Sequence, residues 1–175
     1  TQWKMAHHLE HQFHGKPSGI DTGLSVFEDL RSFYPKPPEL PVHECLPDCS
    51  LFIVVASIPR ICSTKELVMR INKRLTHGDT SVEIKLNELG NISQKAISIF
   101  KKPFTKNSVF QLAHLADKAH SYLKDLELST TLLEELLSTG IDAGALGGKL
   151  SGCGVGGAFF HFTESKEKAH IICTI

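Results

Sequence analysis

The chain has 175 residues, 41% of them hydrophobic, which is enough to bury a core in one ordinary domain or two small ones. Nineteen basic side chains balance nineteen acidic ones, so no global field would hold nucleic acid or an anionic membrane. The longest nearly continuous apolar run, 51–58, is far shorter than a membrane span. The chain has five cysteines, an odd number that favours reduced thiols over a framework of disulfides. These features exclude collagen-like, coiled-coil and disordered classes and predict a soluble, cytoplasmic protein without a nucleic-acid or membrane partner.

Helical periodicity accounts for much of the chain. The first segment, 2–14, places its apolar residues within one helical arc before Gly15. Further along, Ser63-Thr64-Lys65-Glu66 has the S-x-x-E pattern of a capping box, which predicts a helix from about residue 64. The predicted helices cover 2–14, 64–76, 82–102 with a break near Gly90, 107–126, and a last segment after Ser129 that ends by Gly140.

Four short segments have the β-branched, aromatic or alternating character of strands. The most apolar of them, 51–57, is expected to be central in its sheet or covered on both faces. A Pro-rich stretch, 35–47, is expected to form an exposed connection because proline cannot continue a central strand. The predicted strands are 24–34, 51–57, 157–163 and 170–174, and together with the helices they predict an α+β fold.

The segment from His7 to His11 satisfies H-x-x-E-H, in which two histidines one helical turn apart bind zinc and Glu10 is the general base. Ten histidines in the chain make a chance match easy, and the motif names no third ligand. A zinc metalloprotease is therefore the less favoured alternative.

Two glycine-containing segments, 13–21 and 149–157, could bring the backbone close to a ligand. Phosphoryl transfer depends on positioning and charge neutralisation, so it needs amide-rich loops, a carboxylate for Mg²⁺, and an acid or base beside the attacking hydroxyl. Glu10, Asp21 and the later glycines have suitable chemistry for these roles. From residue type alone, Asp21 could equally cap a helix or a turn, and the glycines could form a tight turn before a strand.

Four sequence features follow one another along the chain: a glutamate on a predicted helix, H-G-x-P-S-G-I-D at 14–21, P-R with S-T-K-E-L-V at 59–68, and K-L-S-G-x-G-x-G-G at 149–157. This order resembles the carboxy-terminal half of mevalonate kinases, in the GHMP kinase superfamily. The amino-terminal ATP-phosphate loop of that family, P-x-x-x-G-L-G-S-S, does not occur in this sequence. The resemblance implies that 1–23 end the amino-terminal domain and that 24–175 form a GHMP carboxy-terminal domain, a ferredoxin-like antiparallel sheet packed against helices.

The resemblance also implies an activity: ATP- and Mg²⁺-dependent transfer of the γ-phosphate to the primary hydroxyl of mevalonate in isoprenoid biosynthesis. The implied partners are ATP, a small alcohol and the missing amino-terminal half, and a homodimer is compatible with it. The alternative from a different class is a non-catalytic GHMP-fold fragment or regulatory domain. The implied site residues are Asp21 as the catalytic aspartate, Glu10 as the Mg²⁺ ligand, His14, Ser18, Gly19 and Thr64 at the substrate, and Gly152, Gly154, Gly156 and Gly157 near the phosphates.

Overall fold

The computed structural model describes residues 2–12, 17–37 and 39–174. Helices and strands cover most of that part of the chain. The helices are α1 (Gln2–Glu10), α2 (Ile20–Phe27), α3 (Thr64–Thr76), α4 (Thr80–Phe100), α5 (Lys106–Asp125), α6 (Thr131–Asp142) and α7 (Lys166–Cys173). The strands are β1 (Arg31–Lys36), β2 (Glu39–Cys45), β3 (Phe52–Ile58), β4 (Gly147–Leu150) and β5 (Gly157–Thr163).

The chain divides into two compact units, unit 1 from Thr1 to Cys49 and unit 2 from Ser50 to Ile175. Each unit has its own buried residues. The assignment of 1–23 and 24–175 to successive domains of a longer kinase stays a prediction.

Unit 1 consists of α1, α2 and an antiparallel hairpin of β1 and β2. Its centre is Trp3, which is only 8% exposed and meets the rings of Phe27, Phe33 and His43 edge-on. The predicted strand 24–34 is wrong over its first half, where the chain is helical up to Phe27. This helix, α2, packs closely against the Trp3 ring at Gly23, which has no side chain to keep them apart. The predicted Pro-rich connection is also wrong over β2, since a two-stranded hairpin has only edge strands, where proline is tolerated.

Unit 2 contains a three-stranded antiparallel sheet in the order β3-β5-β4. Helices α5 and α6 pack on β4 and β5, α7 packs on β3, and α4 packs on α5. The predicted α+β class with an antiparallel sheet against helices is confirmed. The largest buried cluster joins α3, α4 and α6 to the sheet and consists of Leu67, Val82, Leu126, Leu128, Leu133, Leu137, Leu150 and Phe159.

Several predictions about unit 2 need correction. Strand β3 lies at an edge of the described sheet, with Val55 62% exposed, so it is not the central strand that its apolar sequence suggested. The predicted strand 170–174 is helical in α7, which Ser165 caps and Ile172 anchors against Val54. Gly90 does not interrupt α4. None of the described helices is both long and apolar enough to cross a membrane.

Candidate functional site

The candidate carboxylates of unit 1 lie at the ends of two packed helices. Glu10 is the last residue of α1, and Asp21 is the second residue of α2. Gly19 precedes α2 with a φ of 76°, a left-handed conformation that favours glycine. The hydroxyl of Ser18 accepts a hydrogen bond from the amide of Ile20 at 3.3 Å, so both predicted loop residues shape the start of the helix.

The carbonyl oxygen of Gly19 fixes this turn by accepting several hydrogen bonds. The Trp3 indole N–H donates to it at 2.9 Å, and the hydroxyl of Thr22 donates at 3.2 Å. A Cβ atom at Gly19 would lie 2.9 Å from Cδ2 of Leu40, so a larger residue would have to shift the Leu40 side chain and would also strain the backbone, whose φ is 76°. Asp21 is therefore presented from a turn whose position the core of unit 1 determines.

Glu10 faces the same turn. Its Oε2 accepts a hydrogen bond from the Thr22 hydroxyl at 3.4 Å and lies 3.7 Å from Nδ1 of His7. The side chain is 16% exposed, whereas Asp21 is exposed, and no described group hydrogen-bonds to the Asp21 carboxylate. The structure thus brings Glu10 against Thr22, the residue next to Asp21, and among the described residues the Asp21 carboxylate has no hydrogen-bond partner.

The metal predictions can be compared with this geometry. His7 and His11 lie side by side, with ring centroids 4.8 Å apart, but the described residues contain no group of three or more side chains that could hold a metal ion. The zinc protease alternative therefore lacks its third ligand in the described part of the chain. A single half-buried carboxylate fits Mg²⁺, which takes one or two carboxylates and completes its shell with phosphate oxygens and water. His14 lies outside the described residues.

The glycine loop, residues 151–157, connects β4 to β5 in unit 2. Its backbone is held from both sides: the Val155 amide donates to the carbonyl of Leu128 at 2.7 Å, and the Ile61 amide donates to the carbonyl of Val155 at 3.2 Å. Gly152, Gly154, Gly156 and Gly157 all have positive φ, between 82° and 99°. A Cβ atom at Gly154 would run into the Leu128 carbonyl oxygen, and one at Gly156 into that of Pro59.

Thr64 lies at this loop. It is the first residue of α3, and its hydroxyl is 3.1 Å from the sulfur of Cys153. The capping box of α3 is made by Ser63 and Glu66, so Thr64 has no part in it and its hydroxyl faces the loop. Thr64 therefore contacts the glycine loop through Cys153.

Arg60 is a candidate that the sequence interpretation assigned no role. Its guanidinium lies at the rim of the glycine loop: a Cβ atom at Gly152 would be 3.5 Å from Nη2, and one at Gly157 would be 2.7 Å from Nε. A guanidinium beside a glycine-rich turn is suited to binding an anion. The signal available in the sequence was the position of Pro59-Arg60, directly after a strand and before a capped helix.

Comparison with known proteins adds the family. Residues 104–174 match the model of the family described as GHMP kinases C terminal. Over these residues the chain is similar to the C-terminal domain of GHMP kinases. The match covers α5, α6, β4, the glycine loop, β5 and α7, so the loop that carries four predicted site residues lies within the matched region.

The curated relatives extend the likeness beyond the GHMP domain to unit 1. A mevalonate kinase from Thermococcus sibiricus is 32% identical over 165 residues, which are 94% of this chain and 48% of that protein. A mevalonate kinase from Candida albicans is 30% identical over 170 residues, 91% of this chain and 38% of that protein. The chain spans about half the length of the first of these relatives, and its resemblance to the carboxy-terminal half of mevalonate kinases is confirmed.

Solved structures support the fold. The L. major mevalonate kinase, solved in complex with R-mevalonate, superposes with a TM-score of 0.83 over 94% of this chain and 49% of that one, at 23% identity. At this identity the likeness shows the fold, which agrees with the GHMP family match.

Proposed function

We propose that this chain is the carboxy-terminal portion of an ATP-dependent kinase that phosphorylates the primary hydroxyl of mevalonate. The observation that carries the proposal is the likeness to mevalonate kinases over 94% of this chain. The motif order that contains Glu10, Asp21 and the glycine loop supports it. A kinase of this kind works in the isoprenoid pathway and in the cytoplasm, and its other partner is the amino-terminal half that supplies the ATP loop.

In this proposal Asp21 accepts or orients the proton of the substrate hydroxyl as that oxygen attacks the γ-phosphate. Its exposed carboxylate, which has no hydrogen-bond partner among the described residues, is free to do so. The Thr22 hydroxyl joins the same turn to Glu10. His14, Ser18 and Gly19 shape the substrate side of this turn.

Glu10 would hold Mg²⁺ together with phosphate oxygens and water. The ion would supply neutralisation of phosphate charge during transfer. The contact of Glu10 with Thr22 and His7 restrains the carboxylate before any ion binds. Glu10 therefore needs little reorganisation to meet the metal-bound nucleotide.

In unit 2, the glycine loop and Arg60 would bind the anionic end of a substrate, and Thr64 would add a hydroxyl to the same place. Backbone N–H groups and a guanidinium stabilise phosphate charge without a proton transfer.

The test is a chimera in which this chain replaces the matching half of the Thermococcus sibiricus mevalonate kinase. We expect ATP-dependent phosphorylation of mevalonate, and we expect Asp21→Asn to lower kcat by about 10²–10⁴-fold with a much smaller change in KM. Asp48→Asn is the matched control, because it makes the same change at another exposed aspartate of unit 1.

A chimera that folds and binds ATP but transfers no phosphate, with Asp21→Asn causing no further change, would favour the non-catalytic alternative. Circular dichroism and ATP titration distinguish this outcome from a chimera that fails to fold.

A further inference from the structure

A cavity that is separate from the proposed roles of Asp21 and Glu10 lies within unit 2, between α4, α5 and the sheet. It is a cavity of about 350 Å³. Most of the residues that line it are apolar, among them Ile92, Ala96, Leu112, Ala116, Phe160 and Phe162, and Ser93 and Lys149 add polar groups to the lining. This volume lies at the small end of the range of ligand-binding pockets, roughly 300–1,000 Å³.

Lys149 is the one cationic side chain among the described residues that line this cavity. Its ammonium donates to the carbonyl oxygen of Leu150 at 2.6 Å and lies 5.3 Å from the centroid of the Phe160 ring. Burial lowers the pKa of this ammonium below its ordinary value of 10.5. Since an ammonium has three N–H donors, two of them lack an acceptor among the described residues.

An apolar cavity that contains one under-satisfied cation is suited to a ligand with an apolar body and an anionic head. Burying a charge without a partner is costly, and an anion that reaches Lys149 would remove that cost. A carboxylate carries one negative charge and balances one ammonium. A phosphate ester carries more charge than Lys149 can balance and would leave part of it buried without a partner.

We propose that this cavity binds a medium-chain fatty acid, with its carboxylate on Lys149 and its chain between α4, α5 and the sheet. The small volume favours a chain of medium length over a long one. Gly152 of the glycine loop also lines the cavity, so a bound chain would contact that loop. The proposal concerns binding and does not depend on the kinase activity.

The experiment is calorimetric titration of the full chain at pH 7 with decanoate, below its micelle concentration. We expect saturable binding of one decanoate per chain. Lys149→Met should weaken decanoate binding about tenfold or more, because a hydrogen bond to a charged group is lost, while binding of uncharged decanol is kept. Lys95→Met is the matched control, since Lys95 is an exposed lysine of α4 that does not line this cavity.

Two further measurements keep the test decisive. Ala96→Phe should fill the cavity and abolish binding of both ligands, and Ser93→Leu, at the same wall, replaces it if the first variant does not fold by circular dichroism. Absence of saturable decanoate binding would overturn the proposal, as would equal decanoate affinity in Lys149→Met. Tighter binding of decyl phosphate than of decanoate would overturn the assignment of a carboxylate head.

Discussion

The turn before α2 in unit 1 and the glycine loop in unit 2 both use glycines at positive φ, but they differ in what their neighbours explain. In the glycine loop, Gly154 and Gly156 are required because the backbones of Leu128 and Pro59 leave no room for a side chain. In the turn, the positive φ and the neighbouring side chains explain why residue 19 is a glycine. The Asp21 carboxylate, in contrast, has no hydrogen-bond partner among the described residues. Internal packing is thus enough to account for these loop glycines, whereas it does not account for the Asp21 carboxylate, for which we propose a role at the substrate.

The largest expected effect tests the first half of this comparison. Gly154→Ala should destabilise unit 2 by about 3 kcal/mol, because it adds left-handed strain and forces a Cβ atom into the Leu128 carbonyl. Urea denaturation followed by circular dichroism measures the change. A loss below about 1 kcal/mol would mean that the loop moves easily and that packing does not require this glycine.

Substitutions at two other glycines distinguish the effect of left-handed backbone strain from the effect of steric conflict. Gly78 has a φ of 77° and nothing within 4 Å of its Cβ position, so Gly78→Ala should cost about 1 kcal/mol from strain alone. Gly90 lies inside α4 with open space around it, and Gly90→Ala should stabilise the chain by about 0.5–1 kcal/mol. The order Gly154, Gly78, Gly90 is the result expected if steric conflict adds to strain.

Local signals predicted the parts of the fold that depend on a few neighbouring residues. The capping box Ser63–Glu66 placed α3 correctly at 64–76, and the change from glycines to aromatic residues placed β5 at 157–163. Strand β4 was not predicted, because its two leading glycines look like loop residues. Gly148 is required there by the carbonyl of Phe160 and the ring of His161, which only the folded chain brings close.

The candidate site residues also fall into those that sequence motifs predicted and those that only the folded chain brings together. Motif order predicted Glu10, Asp21 and Thr64 as site residues, which stays a prediction, and the contacts of Glu10 with Thr22 and of Thr64 with Cys153 are compatible with it. Arg60 was not assigned because its position beside Gly152 joins residues 92 apart along the chain, which no local pattern records. Helix α7 was predicted as a strand for a similar reason, since its helical state depends on the Ser165 cap and on burial of Ile172.

The next expected effect is a loss of stability when the hydrogen bonds of Glu134, near the segment that contacts the glycine loop, are weakened. Glu134 accepts hydrogen bonds from His120 at 2.7 Å, Lys124 at 2.7 Å and Ser129 at 2.5 Å. Ser129 follows Leu128, whose carbonyl accepts the hydrogen bond from the Val155 amide. Burial raises the pKa of Glu134, but the hydrogen bonds from Lys124, Ser129 and His120 outweigh it and lower the pKa from 4.5 to about 2. Glu134→Gln should cost about 1 kcal/mol at pH 7, since the group is only partly buried.

The sign of the pH dependence follows from the lowered pKa. The ionised carboxylate stabilises the fold fully above pH 4.5, and this contribution is lost as the pH falls towards about 2. The difference in unfolding free energy between the wild type and Glu134→Gln should therefore be constant above pH 5 or so and shrink below it. A difference that stays the same at pH 3 and pH 7 would contradict the assigned network.

The smallest expected effect tests the second half of the comparison. Asp21→Asn should change the free energy of unfolding of the chain by less than about 0.5 kcal/mol, because the carboxylate is exposed and its loss removes only a weak interaction with the amino-terminal end of α2. Gly19→Ala is the matched contrast two residues away, and it should be clearly destabilising because its φ of 76° strains any side chain and its Cβ atom would crowd the Leu40 side chain. Urea denaturation of both variants gives the comparison. If Asp21→Asn were as destabilising as Gly19→Ala, Asp21 would be a structural cap of α2, and the argument that it awaits a ligand would fail. If it is neutral for stability while the same change in the chimera abolishes phosphate transfer, the carboxylate acts on the substrate rather than on the fold.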